Sequence, residues 1–416
     1  MCGIAGVYHF DRPDVPVADL DALGVMAAMQ RHRGPDDSGL EAYPHCALAN
    51  QRLSILDISP LGHMPMHDES GRLALTHNGE IYNFVELRDE LRRLGHAFRS
   101  GGDTEVILRA YLQWGAACVE RLVGMWAFAL YDAADHSLLL ARDRLGIKPL
   151  YVHHTPSRLV FASEIKAIVS YLHHHGESVR ANPASIATYA ATGLVDGLAE
   201  TFFQGIQRFP SASTMLLRPD GERTTRYWDL PARAAALRAG LDGAQREPSA
   251  MLRQTLDEAV RVHLRSDVPL GVCLSGGLDS SAIVGLASAH VDRVNTFTVY
   301  FADGPEFDER PHARAIANRF GVQAMERRVE PGDVLSTLRQ IVWHLDEPSL
   351  ALGVYPQWHV MALARDGGAK VVLDGQGGDE VFAGYMNYAP QHLYGLLGSA
   401  PARFPLELAG IGRVHG

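Results

Sequence analysis

At 416 residues the chain has room for two or three domains, each with its own core. Hydrophobic residues make up 47% and charged residues 21%, the balance of an ordinary soluble globular protein. The formal net charge of −10 argues against general nucleic-acid binding, because polyphosphate backbones reward clustered Lys and Arg. No apolar run approaches the roughly 20 residues of a bilayer crossing, and no basic segment followed by an apolar one opens the chain. The four cysteines, at 2, 46, 118 and 273, have neither metal-ligand spacing nor the density of a disulfide framework. A reduced, cytoplasmic setting without membrane or nucleic-acid partners is expected. Arg31-His32-Arg33 reads as a local feature and His173-His174-His175 as a solvated loop.

Up to about residue 165 the chain alternates strand-like stretches with a few amphipathic helices. Strands are expected over Cys2 to Phe10, Cys46 to Leu56, Leu73 to Ile81, Met125 to Asp132, Ser137 to Arg142 and Leu159 to Ser163. Phe84, Leu87, Leu91 and Leu94 recur at helical spacing, with Asn83 and Glu86 as a cap and capping-box partner and Gly95 as the stop. A second helix begins near Asp103. Runs of strands with grouped helices point to an α+β layered domain. The Ala/Arg-rich stretch Pro231 to Pro248 looks like a connector. From about residue 250 strand and helix alternate: strands at Pro269 to Leu274, Asn295 to Phe301, Val322 to Val329 and Lys370 to Leu373, helices at Ser280 to Ala289, Glu309 to Phe320, Val334 to Leu345 and Gln357 to Arg365. That rhythm implies a parallel sheet covered on both faces, with ligands beyond the carboxyl ends of its strands.

Cys2 directly follows the initiator Met. With Met1 removed, its thiol shares a residue with a free α-amine of pKa about 7.7–8.0, which can take the thiol proton as an intramolecular base. Taken alone, Cys2 also suits a small apolar residue in a strand. In His77-Asn78-Gly79-Glu80, an Asn amide and a following Gly N–H can hold the oxyanion formed when a thiolate attacks a carboxamide. Arg52 offers a forked donor for a carboxylate, and Asp103 could receive an ammonium. Together these groups describe glutamine. Singly, Asn-Gly is a common turn, Arg52 a surface ion pair and Asp103 a helix cap.

Ser275-Gly276-Gly277-Leu278-Asp279-Ser280-Ser281 lies where a buried strand turns into a helix. Glycines let the backbone approach phosphate oxygens, hydroxyls donate to them, and the helix N-terminus favours negative charge. Without a Lys in the loop this is not a Walker A sequence. It suits the β,γ-pyrophosphate leaving ATP after attack at the α-phosphorus, unless it is a plain turn. Asp374-Gly375-Gln376-Gly377-Gly378-Asp379-Glu380 follows a second strand of that sheet. Asp279 and Asp379 would then converge beside a triphosphate, where Mg²⁺ takes one or two carboxylates; the alternative is a solvated acidic turn.

These motifs, with RHRGPD, NQRLSILD, GGDTE, ARDRLGIKPLY and DEP, make the chain resemble glutamine-dependent asparagine synthetases over nearly everything to about residue 390. The resemblance implies a four-layer αββα sandwich of the N-terminal-nucleophile hydrolase type over residues 1–213. A connector over 214–249 and a Rossmann-like α/β ATP-pyrophosphatase domain over 250–416, incomplete at its C-terminus, would follow. It implies Cys2 as nucleophile, Asn78 with Gly79 as oxyanion hole, and Arg52, Glu80 and Asp103, with Asn78 and Gly79, around glutamine. Ser275, Gly276, Gly277, Asp279 and Ser280 would surround the ATP phosphates, Cys273, Val299 and Gly375 would lie near the nucleoside, and Asp374 joins the ATP residues. Asp279 and Asp379 would hold Mg²⁺. The implied reaction is ATP-dependent amidation of a carboxylate, aspartate first, by ammonia travelling internally from glutamine; a homodimer is implied as well.

Two departures qualify it. Gln376 stands where the family usually has a Glu tied to acceptor activation, which opens the acceptor to another carboxylate of surface-polysaccharide or natural-product pathways. The chain also stops at Gly416, short of helices that complete the synthetase pocket in the family. A fragment, a product impaired in its second reaction, a glutaminase alone or a regulatory subunit are the corresponding expectations.

Overall fold

The computed structural model describes residues 1–195, 197–240, 247–301, 304, 308–330, 332, 334–349, 351 and 353–415. The chain forms two compact units, one of residues 1–269 with 331–359, the other of residues 270–330 with 360–416.

In the first unit β1 (Gly3–His9) is buried at every position because β3 (Cys46–Arg52) and β9 (Arg158–Ala162) pair antiparallel on its two sides. β2 (Asp37–Tyr43), β8 (Tyr151–His154) and β10 (Ile206–Arg208) complete a six-stranded sheet in the order β10-β8-β9-β1-β3-β2. A second six-stranded sheet runs β12-β11-β7-β6-β5-β4. Its strands are β4 (Met66–His67), β5 (Leu73–Ile81), β6 (Gly124–Asp132), β7 (Ser137–Arg142), β11 (Ser213–Arg218) and β12 (Gly221–Arg226).

Period-two alternation sorts the apolar side chains into layers. Ile4, Tyr8 and Leu48 of the first sheet meet Ala74, Ala129 and Leu140 of the second. Ala5, Val7 and Ala47 face the other way, onto α1 (Val17–Met29) and α4 (Ile165–His174). On the far side Leu75, Phe128 and Leu130 pack under α2 (Phe84–Arg93) and α3 (Thr104–Trp114). The result is the expected αββα sandwich.

Several local expectations need correction. Asn83 makes no side-chain cap; its Oδ1 accepts from the Val123 amide at 2.9 Å, and Glu86 pairs with Arg265 instead of closing a capping box. His173 and His174 are not in a loop but end α4, and His175 Nε2 lies 2.9 Å from Asp19. The stretch 214–249 begins with β11 and β12, so the second sheet continues into residues expected as a connector. β12 is an edge strand exposed at all positions, which removes the apolar alternation that marks a strand. Residues 241–246 of that stretch lie outside the described residues.

Asp19, on α1, is buried between His9 of β1, at 2.9 Å, and Tyr171 and His175 at the end of α4. Burial pushes its carboxyl up, but hydrogen bonds from His9 and Tyr171 win and bring it down to about 2. A carboxyl lowered by folding stabilises the chain above its unfolded pKa, and that stabilisation is lost as pH falls through about 2. Asp19→Asn should cost about 2–4 kcal/mol at pH 7. In urea unfolding at several pH values, that cost should shrink toward pH 2.

The second unit has a four-stranded parallel sheet in the order β15-β14-β13-β16. Its strands are β13 (Leu270–Cys273), β14 (Asn295–Tyr300), β15 (Gln323–Arg328) and β16 (Val371–Leu373). α8 (Leu278–His290) and α9 (Arg310–Phe320) are its crossovers, as the alternation implied. Among the described residues no helix is long and apolar enough to cross a membrane.

Candidate active site

Cys2 stands just before β1 and is 9% exposed. Its Sγ accepts from the Leu53 amide at 3.4 Å and its carbonyl accepts from Arg33 Nε at 2.9 Å. The residue is held from both sides. Burial pushes the thiol up, and so does the charge of Glu80, while the neighbouring amino terminus, the Leu53 amide and Arg52 pull it down; the net direction is up. Such a thiol attacks only when a base relieves it of its proton.

A pocket opens beside it, and Arg52, Gly79, Glu80 and Asp103 line it together with Cys2. Arg52, 6% exposed, ends β3 and donates through Nη1 to Ser59 O at 3.2 Å and through Nη2 to the carbonyls of Leu56, at 3.4 Å, and Asp57. A Cβ on Gly62 would fall 1.8 Å from Nη2, so only glycine leaves the guanidinium its place. Gly79 faces the same constraint: a Cβ there would stand 2.3 Å from Met125 O on β6.

Asn78 is placed differently. Along β5, His77 and Gly79 reach the pocket, whereas Thr76 and Asn78 turn between the sheets, to Asn50 at 2.9 Å and Ser163 at 3.5 Å. Asn78 Oδ1 is buried without a hydrogen-bond partner among the described residues, and Asn78 does not line the pocket.

Two carboxyls share this space. Burial first, then the charge of Asp103, holds Glu80 well above the usual carboxylate range. Burial pushes Asp103 up to about 6 against several hydrogen bonds, among them one from the Ile81 amide at 2.8 Å. Carboxyls raised in this way are prepared for a cation, whose arrival favours their charged forms.

Sequence reasoning passed over other groups here. His77 is brought down to about 3, by burial and then by Lys148, so its ring stays neutral. Lys148, 4% exposed, is brought down to about 8 by burial, against the pull of Glu80. Asp143 fixes its backbone by accepting from the amides of Leu145, Ile147 and Lys148, each at 3.0 Å. Arg33, read as part of a basic local feature, reaches the Cys2 carbonyl. Its only sequence signal was its place in the RHRGPD run.

In the second unit β13 and β16 are parallel neighbours, pairing Gly271 with Val372, so the loops after them leave the same sheet edge. A Cβ on Gly378 would lie 2.4 Å from Asp279 Oδ2, and one on Gly375 would lie 3.1 Å from Asp279 Cβ. Gly276 takes φ +86° and packs so closely on α9 that a Cβ would fall 2.5 Å from His312 Cβ. Ser275 Oγ accepts from the Gly277 amide at 3.2 Å and lies 3.1 Å from Ser280 Oγ. No side chain caps α8, which leaves its first amides facing the loop. Cys273 and Val299 pack on the cluster around Phe297. Burial, then Asp374, pushes the Cys273 thiol up to about 12. Asp374 Oδ1 accepts from the Gln376 amide at 3.0 Å. The Asp379 carboxylate turns toward Gly384, where a Cβ would stand 1.9 Å from Oδ1.

Residues 1–228 match the glutamine amidotransferase domain family and residues 251–409 match the asparagine synthase family. Asparagine synthetase [glutamine-hydrolyzing] 1 of Bacillus subtilis is 33% identical over 93% of this chain and 59% of its own length. A putative asparagine synthetase [glutamine-hydrolyzing] of Mycobacterium tuberculosis is 33% identical over 100% of this chain and 67% of its own. A putative asparagine synthetase [glutamine-hydrolyzing] 2 of Methanocaldococcus jannaschii is 31% identical over 93% and 76%. The chain belongs to the glutamine-hydrolysing asparagine synthetase family. It spans 59% of the length of the B. subtilis relative. The amidotransferase match falls on the sandwich of the first unit, and the asparagine synthase match takes in the parallel sheet of the second.

Proposed function

We propose that this chain carries out ATP-dependent, glutamine-hydrolysing amidation of a carboxylate, aspartate first, releasing AMP and pyrophosphate. The carrying observation is the single pocket that unites Cys2 with Arg52, Gly79, Glu80 and Asp103. Arg52 takes the α-carboxylate of glutamine, and Glu80 and Asp103 take its ammonium. With Met1 removed, the Cys2 amine accepts the thiol proton, and sulfur attacks the side-chain carboxamide. The Gly79 amide stabilises the oxyanion. The C–N bond breaks as the amine returns its proton to the leaving nitrogen; water then cleaves the thioester and frees glutamate.

In the second unit, the Ser275 to Ser280 loop and the uncapped start of α8 cradle the phosphates, with Cys273, Val299, Asp374 and Gly375 around the rest of ATP. An acceptor carboxylate oxygen attacks the α-phosphorus, pyrophosphate leaves, and ammonia displaces AMP from the acyl adenylate. Asp279, set against the second loop, and Asp379 are the residues that would hold Mg²⁺, which would neutralise charge on the departing pyrophosphate. The family resemblance adds a homodimer to the reading, and the cysteine pattern adds a reduced, cytoplasmic setting.

Gln376 favours a second acceptor. An amide cannot replace the charge of the Glu usual there, so a carboxylate other than aspartate is the alternative. Incubation with glutamine, ATP, Mg²⁺ and a panel of carboxylates decides. Asparagine with equal AMP and pyrophosphate is expected with aspartate, AMP only with another acid supports the alternative, and ADP defeats both.

A further inference from the structure

Asp346 begins the Asp346-Glu347-Pro348 run that follows α10 (Val334–Leu345), inside the part matched to the asparagine synthase family. Yet it belongs to the first unit, where it sits on the glutaminase sandwich. Its Oδ2 accepts from the Ile165 amide at 2.7 Å, at the start of α4, and its Oδ1 lies 3.0 Å from Lys166 Nζ. Lys166 Nζ donates to Glu164 Oε2 at 2.7 Å. The other oxygen, Oε1, accepts from Arg33 Nη1 at 3.1 Å and lies 2.9 Å from His32 Nε2. Arg33 Nε then donates to the Cys2 carbonyl at 2.9 Å.

The four charged side chains of this path are 4–10% exposed, so solvent screens them little. Asp346 also takes φ +66°, a left-handed backbone that a residue other than glycine keeps only where its surroundings hold it. Trp343 lies under Lys166 Nζ at 4.6 Å and beside the His32 ring at 4.9 Å, and Glu347 accepts from the Phe202 amide at 2.9 Å. After this anchorage α11 (Val354–Asp366) carries the chain out of the first unit into the second.

We propose that Asp346 is a positioning residue for the Cys2 nucleophile, acting through Lys166, Glu164 and Arg33, so that residues from the synthetase part of the sequence complete the support beneath the glutaminase centre. This rests on the reading of Cys2 as nucleophile. Without Asp346, the buried Lys166 ammonium follows Glu164 alone and draws that carboxylate from Arg33. The Cys2 carbonyl then loses its fixed donor, and the thiol loses its aim at the pocket.

The test uses the full chain with Asp346→Asn, Lys166→Met and both together. The rate at which iodoacetamide alkylates Cys2 is followed by peptide mass mapping, with circular dichroism reporting the fold. Kinetics of glutamate release are read alongside. Each single substitution should slow alkylation and lower kcat about tenfold, with the KM for glutamine within twofold, and the double variant should be no slower than the slower single one. A folded Asp346→Asn chain alkylated at the parent rate overturns the proposal, as do effects that multiply in the double variant. Should Asp346→Asn fail to fold, Lys166→Met decides by the same rate. Absence of glutamate release from the unaltered chain strikes the reading beneath, while the alkylation rates still judge the hydrogen-bond path.

Discussion

Cys2→Ala abolishes glutamate release from glutamine, by on the order of 10⁴-fold or more, and leaves the chain folded. The fall is that large because no other thiol is in place to form the thioester: Cys46 and Cys118 are fully buried in the cores, and Cys273 lies in the second unit. The fold survives because the substitution removes one small atom whose hydrogen bond, from the Leu53 amide at 3.4 Å, is weak. The loss of stability should stay near 1 kcal/mol. Ammonium chloride should restore amidation of the acceptor, since ammonia is all that the proposed glutaminase reaction delivers. Glutamate release and thermal unfolding measured on one preparation provide the check, and undiminished release rejects the nucleophile.

Asp103→Asn raises the KM for glutamine about 100-fold at pH 7.5 while the ligand-free chain becomes no less stable. A buried charge pair with the substrate ammonium is worth roughly 2–5 kcal/mol, and about 2.8 kcal/mol gives that factor. In the parent chain burial pushes Asp103 up to about 6, so the ammonium loses one of its two partners as pH falls through that value and KM rises. The variant lacks this rise. Stability has the opposite sense. A carboxyl raised from about 3.9 in the unfolded chain takes up its proton more readily when folded, so it costs stability as pH climbs from about 4 to about 6 and a constant amount above. Asn keeps an acceptor for the Ile81 amide and relieves Glu80 of a like-charged neighbour. KM and midpoint temperature followed from pH 5 to 8 test both halves; a variant KM equal to the parent's removes Asp103 from the ammonium site.

Much of this architecture was legible where one periodicity dominates. β5 and β7 run from Leu73 to Ile81 and from Ser137 to Arg142, the limits that the apolar pattern sets. The second unit's alternation likewise announced its parallel sheet. α1 escaped because its buried Ala22, Leu23 and Met26 are mixed with exposed Val17 and Val25, which blurs the stripe. β2 escaped because it is half exposed at an edge, with Asp37, Ser38 and Glu41 among its residues. At the site, residue types named Cys2, Arg52 and Asp103, and the family resemblance added Glu80, but no local signal ties Arg33 to Glu164 across 131 positions, or Ile165 to Asp346 across 181. Such partners exist only once the sheets have closed. The direction of Asn78 was hidden for a simpler reason: strand alternation decides it, and the motif alone does not say which neighbour faces the ligand.

The grip of Arg33 on the Cys2 carbonyl and the burial of Cys2 also bear on maturation. A peptidase needs the bond after Met1 extended and unobstructed in its own cleft, and in the folded chain the residue on one side of that bond is enclosed and tied down. Because the proposed base is the amine of Cys2, a folded chain that keeps Met1 holds that nitrogen in a peptide bond, where it cannot take the thiol proton.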